Sequence, residues 1–265
     1  MTSASVAAPA LERVAALLEP DERPDDLSEA GRGGYLDLIG GAAPASTGAA
    51  QDLMLTGIVP RIYERWWRPA LGRVAKGVLG PGMADERRIA RLYLGLAPGD
   101  AVLDVACGTG NFTRDFARSV GADGLVVGID VSQTMLTRAV EDTRLAGLGS
   151  AAYVRGNAQE LPFRERSFDA VCCFAALHLF ADPMRALDRM ASVLASDGRI
   201  AIFTSCRGRS APLRSFESVM QARSGMRMFE RNEILDALEA RGFVELDQRL
   251  AGFTQFVGGR LAESA

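Results

Sequence analysis

Between residues 104 and 110 the chain reads Asp104-Val105-Ala106-Cys107-Gly108-Thr109-Gly110. Glycines separated by one residue let a backbone approach a ligand where a Cβ would stand in the way. A helix starting just after them offers unpaired N–H groups. A Gly-x-Gly turn alone often serves only tight packing. This one follows the apolar run AVLDV and opens FTRDFARSV, the context that gives it meaning. Asp130 ends a second apolar run, LVVGID, where a carboxylate accepts hydrogen bonds from ribose hydroxyls or caps the next helix. Asn157 and Ala158 follow a third run, where an amide can meet an adenine edge. His178 is the only histidine. An imidazole with an ordinary pKa of about 6.5 suits a general base, and it equally suits a packing or hydrogen-bonding residue of a pocket wall.

These residues need a frame that brings strand ends together. ADERRIARLYLGL reads as an amphipathic helix and APGD (97–100) as a turn. AVLDV (101–105), LVVGID (125–130), AYVRG (152–156), the start of FDAVCCFAAL (168–177) and GRIAIFT (198–204) read as buried strands. Helices fall between them, with Phe112, Phe116 and Val120 on one face of the first, and Ser132 and Asp182-Pro183 at later helix starts. NEILDALEARG is a helix closed by Gly242, and FVELDQRL with AGFTQFVGG forms an antiparallel hairpin. Strand–helix alternation with continuous apolar runs means a parallel sheet covered on both faces. The expectation is an α/β, doubly wound, mostly parallel seven-stranded sheet with a C-terminal antiparallel hairpin and an N-terminal helical cap. Residues 1–83 form the extension and cap, with one short helix near 11–18. Residues 84–265 form the binding domain, with a substrate lid at about 206–230.

The 265 residues accommodate one large domain with appended helices or two modest ones. With 48% hydrophobic and 24% charged residues the balance is globular. A net charge of −3 gives no general attraction to nucleic acid. Cys107, Cys172, Cys173 and Cys206 form no CxxC pair, so no metal site is expected. Adjacent Cys172 and Cys173 in an apolar run suit buried thiols and a reducing, cytoplasmic compartment. The N-terminal stretch has no basic start and does not read as a signal peptide. No apolar run reaches the ~18 residues of a membrane span. Oligomeric state is not legible.

The glycine loop and Asp130 fit both NAD and S-adenosylmethionine (SAM). Three features favour SAM. Thr113 stands where the dinucleotide fingerprint has its third small residue. Asp104 suits an α-ammonium and would repel a pyrophosphate. Asn157 offers an amide to adenine. VLDVACGTGNFT resembles the first motif of class I SAM-dependent methyltransferases, and VVGIDVSQTML the next, with Met135 beside adenine. GNAQELPFRERSFDAVCCFAALHLFADPMRAL, LASDGRIAI and EILDALEARGF are similar to segments of the ubiquinone/menaquinone biosynthesis methyltransferase-like family. The resemblance covers about residues 84–258. Asn157 stands where that family usually has Asp, and Leu179 where it has a second His.

The resemblance implies a Rossmann-like methyltransferase fold and SAM as cofactor, held by Asp104, Ala106, Gly108, Gly110, Asp130, Val131, Met135, Asn157, Ala158 and Phe174. It also implies that Tyr63 closes over the site, while Trp66 and Trp67 of the same aromatic cluster either join it or pack the cap on the core. The activity expected is metal-independent O- or C-methylation of a small lipophilic acceptor. In the lid, Arg207, Arg209, Arg214, Arg223 and Arg227 either bind an anionic group of the substrate or form a solvated face. The competing readings are an NAD(P)-dependent oxidoreductase and a SAM-binding module without catalysis.

Overall fold

A computed structural model describes residues 8–40, 80–208 and 226–263. The aromatic cluster at 63–67 and the lid residues 209–225 lie outside the described residues. The apolar runs form strands where their composition places them. In chain order these are β1 (Leu36–Asp37), β2 (Ala101–Val105), β3 (Leu125–Asp130), β4 (Ala151–Arg155), β5 (Phe168–Phe174), β6 (Leu194–Ser205), β7 (Phe243–Ala251) and β8 (Thr254–Leu261). They make one sheet of order β1-β4-β3-β2-β5-β6-β8-β7. The pairs from β1 to β6 are parallel, and β8 joins both β6 and β7 antiparallel. The doubly wound sheet and its closing hairpin are as expected. The strand number differs, with eight among the described residues in place of seven. The additional strand is β1, an edge of two residues that carries no periodicity of its own. Its pairing comes from β4, with Leu36 opposite Val154 and Asp37 opposite Arg155.

Helices α3 (Met83–Leu94), α4 (Asn111–Val120) and α5 (Gln133–Leu145) cover one face of the sheet. Phe112, Phe116 and Val120 are the buried side of α4, as their spacing implies. Ser132 caps α5 by accepting from the Met135 N–H at 3.4 Å. The opposite face carries α6 (Pro183–Val193), α7 (Glu233–Glu239) and α1 (Ala8–Leu17), while the four-residue α2 (Leu27–Ala30) leads from α1 to β1. Val14 and Leu18 from the N-terminal segment share a cluster with Val127, Val154 and Phe163. Burial of each such side chain stabilises by about 1.5–3 kcal/mol. The Arg13 guanidinium fastens α1 further, donating to the Gly124 and Asp123 carbonyls at 2.8 Å each. The described N-terminal residues therefore share one core with the sheet. Strand order reverses between β2 and β5, and the carboxyl ends of the strands around that point are where such folds bind ligands.

Candidate active site

The loop after β2 turns sharply. Ala106 has φ 56°, Gly108 56° and Gly110 73°. Beyond β5, Ala175 has φ 59°. A residue with a Cβ in this region is strained by about 1–3 kcal/mol, and such strain gathers at ligand sites. Both alanines sit just past the two strands that flank the reversal in strand order.

The two glycines of the loop differ. Among the described residues a Cβ built on Gly108 meets nothing within 4 Å, so on that side its backbone faces open space. A Cβ on Gly110 would run into the Tyr153 ring, 2.9 Å from Cζ and 3.0 Å from Cε1. Tyr153 is fully buried and its hydroxyl shares a 2.7 Å hydrogen bond with Thr143. Gly128, inside β3, is also required: a Cβ there would lie 2.8 Å from both Cys107 Sγ and Tyr153 Cδ1. Gly110 and Gly128 thus serve packing around Tyr153, while Gly108 keeps an approach open.

Asp130 draws the loop in. Its Oδ2 accepts from the Gly108 N–H at 2.9 Å and its Oδ1 from the Ser132 N–H at 2.8 Å. Burial raises its carboxyl above the ordinary carboxylate range, and the N–H groups of Ser132, Gly108 and Val131 oppose that. Each oxygen has a lone pair beyond the one bonded to the backbone, so the carboxylate can still accept from a diol. Asp104 is 2% exposed and accepts from the Thr113 hydroxyl at 2.6 Å. Thr113 itself is fully buried, so a side chain fills the position where a dinucleotide fold needs close approach. Cys107 lies between these acids. Burial pushes its thiol well up, and the charges of Asp130 and Asp104 add to that, so it stays protonated and packs.

Of the other expected contacts, Met135 is buried at the start of α5 and Val131 sits beside Asp130. The Val131 carbonyl accepts from Arg155 Nε at 3.1 Å, and Arg155 pairs with Asp37 at 3.0 Å. The Asn157 side-chain oxygen accepts from the Gln159 N–H at 3.0 Å, closing the turn that carries Ala158. The Phe174 ring is 6% exposed and belongs to an aromatic cluster with Phe112 at 4.7 Å and Phe203 at 5.9 Å. Tyr63 lies outside the described residues.

His178 sits on a single 3-10 turn (Leu177–Leu179) after β5. Its Nδ1 is 3.3 Å from the Thr204 hydroxyl on β6, and its carbonyl accepts from the Arg227 N–H at 2.9 Å. Burial lowers its pKa to about 4, so the ring is neutral at physiological pH. Thr204, Tyr153 and Arg155 carry no motif that marks them in the sequence. Gly128 within an apolar strand was a signal of close backbone approach. Two lid arginines are described, and both are engaged. Arg207 lies 3.5 Å from Glu230, and Arg227 lies 2.6 Å from Glu233 and over the Phe229 ring. Arg209, Arg214 and Arg223 lie outside the described residues. Among the described residues no group of three or more His, Cys, Asp or Glu is placed to hold a metal ion, and no helix is long and apolar enough to cross a membrane.

Residues 102–198 match a sequence family described as a methyltransferase domain. The chain is 38% identical over 120 residues to the ubiquinone/menaquinone biosynthesis C-methyltransferase of Idiomarina loihiensis, covering 45% of this chain and 48% of that protein. It spans less than half the length of the curated relatives it matches first. The fold is that of the [4+2]-cyclase SpnF (TM-score 0.62, 18% identity, 84% of this chain and 98% of that one). It is also that of a Haemonchus contortus phosphoethanolamine N-methyltransferase in complex with SAM (TM-score 0.58, 16% identity, 77% and 60%).

Proposed function

We propose that this chain, which carries a methyltransferase domain on a class I methyltransferase fold, transfers a methyl group from SAM to oxygen or carbon of a small, lipophilic acceptor. One observation carries the reading. Within the matched segment, Gly108 turns a left-handed backbone toward open space beside the Asp130 carboxylate.

The residues present fit the cofactor. Asp130 would accept from the ribose hydroxyls, and Met135 and Ala158 would flank the base. The carboxylate of Asp104 would attract the α-ammonium. SAM when bound supplies a methyl group on a sulfonium, and the electron pair of the broken carbon–sulfur bond stays on sulfur. The protein's work is then to hold an acceptor atom in line and to exclude water. Orientation of this kind supplies up to about 7–11 kcal/mol of a barrier. His178, after β5, would contact the acceptor. No metal ligand is assigned.

Fold alone does not decide chemistry, as the cyclase neighbour illustrates. An oxidoreductase is disfavoured by the buried Thr113 hydroxyl bonded to Asp104. Calorimetric titration with SAM, S-adenosylhomocysteine and NADPH tests the reading on wild type and Asp130→Ala. Micromolar binding of both sulfur nucleotides, lost in the variant, is expected. Binding of NADPH alone would overturn it. Tight SAM binding without methyl transfer across a broad acceptor screen would leave a binding module.

A further inference from the structure

We propose that the Thr204 hydroxyl donates to His178 Nδ1, fixing the tautomer with the proton on Nε2, so that His178 gives a hydrogen bond to an oxygen of the acceptor rather than removing its proton. The inference rests on the methyl-transfer reading for the identity of the ligand, but not for the tautomer.

Thr204 lies on β6 and is 1% exposed. Its hydroxyl carries one proton that must find an acceptor, because a buried donor left unpaired costs about 1–3 kcal/mol. His178 Nδ1, at 3.3 Å, is the only hydrogen-bond partner of that hydroxyl among the described residues. If Nδ1 carried the proton, the hydroxyl would accept it and its own O–H would be stranded in the core. If the hydroxyl donates, both groups are satisfied, and the single ring proton moves to Nε2. Nε2 has no hydrogen-bond partner among the described residues, and His178 as a residue is partly exposed. The backbone of His178 is fixed independently by the Arg227 N–H, and Arg227 is positioned in turn by the Ser205 hydroxyl, which donates to its carbonyl at 2.6 Å. Thr204 is therefore a positioning residue acting through His178. Desolvation makes the ring a weak base, with a pKa of about 4, which a hydrogen-bond donor tolerates and a general base working at neutral pH does not.

The ligand chemistry follows. An Nε2–H donor selects an acceptor molecule bearing an anionic oxygen, such as an enolate or phenolate. Such an acceptor brings its nucleophilic electron pair already available. The methyl carbon would bond to that pair as its bond to the sulfonium sulfur breaks, the electron pair of that bond staying on sulfur, and neither methylation on oxygen nor methylation at an enolate carbon would pass a proton to the imidazole.

The chain has a single histidine, so 15N-histidine labelling gives one unambiguous pair of ring nitrogens. At neutral pH the expected spectrum has a protonated Nε2 and an unprotonated, hydrogen-bonded Nδ1. Thr204→Val should move the Nδ1 resonance toward that of a free lone pair, and Thr204→Ser should restore it. A protonated Nδ1 in the wild type would overturn the proposal, as would an Nδ1 resonance indifferent to Thr204→Val. If the valine variant fails to fold, the wild-type tautomer and the serine variant decide. None of these spectra requires turnover, so failure here is separable from failure of SAM to bind.

Discussion

Replacing Gly108 and Gly110 one at a time by alanine separates a ligand-facing glycine from a packing glycine within a single three-residue motif. Both have positive φ, 56° and 73°. A Cβ in the left-handed region costs about 1–2 kcal/mol. Part of that is offset, by about 0.4–1 kcal/mol, because alanine restricts the unfolded chain more than glycine does. Gly108→Ala adds no clash with the described residues, since its Cβ would meet none of their atoms within 4 Å. Ala106, at φ 56° in the same loop, shows that a methyl group is accommodated in that conformation. The expected net loss of stability is about 1 kcal/mol, or roughly 2–4 °C in Tm for a domain of this size.

Gly110→Ala drives a methyl group into the ring and hydroxyl of a fully buried tyrosine. Overpacking adds about 1–3 kcal/mol to the same net backbone cost, for a total of about 2–4 kcal/mol. The ranking should reverse in binding. The Gly108 methyl group stands where a ligand must approach, so SAM affinity should fall at least tenfold, about 1.4 kcal/mol. Urea unfolding and calorimetry on the same preparations read both quantities. Wild-type SAM affinity in Gly108→Ala would refute the assignment of that open space to the cofactor. Equal destabilisation by the two substitutions would refute the distinction between them.

Three further outcomes are expected. In Asp130→Asn the amide must turn its NH2 toward the backbone N–H of either Gly108 or Ser132, so urea stability should fall by about 1–3 kcal/mol along with SAM affinity; a loss of affinity alone would show that the carboxylate does not hold the loop. Thr113→Val removes the 2.6 Å donor to buried Asp104 and should cost about 1.5–3 kcal/mol; an unchanged urea midpoint would mean that this contact contributes nothing net. His178 titrates near 4 when folded against an ordinary 6.5, so below pH 6.5 the unfolded chain takes up a proton that the folded chain refuses, and stability falls as pH drops through that window. The ceiling is about 3 kcal/mol, reduced by the partial exposure of the residue. His178→Asn should therefore lose less stability than wild type between pH 7 and 4.5, and equal losses would show that the imidazole is not held neutral.

How much of this could be read from residues alone follows from the range of the interactions. Strands β2 and β3 were legible to the residue because parallel strands buried on both faces need uninterrupted apolar runs, and AVLDV and LVVGID stand between turn residues. Helix α6 was legible at its start, where Asp182 accepts from the Arg185 N–H. Its buried face, Ala186, Leu187, Met190 and Val193, packs on the sheet with Met184 and Ala191 beside it. The glycine loop and Asp130 were legible because a turn and its acid lie at strand ends that the pattern locates.

What escaped were contacts between segments far apart in sequence. Thr204 and His178 meet because β5 and β6 are neighbours in the sheet, a pairing that neither residue signals. Asp37 and Arg155 are 118 residues apart, and they meet because a two-residue strand adds to the edge of β4. That edge has a chemical consequence. The Arg155 guanidinium joins Asp37 to the Val131 carbonyl, next to Asp130. The loop that would hold a ribose therefore leans on a segment that, in the sequence, stands outside every motif. A stretch without a motif can still position a cofactor when its single carboxylate completes a bridge to the loop that binds it.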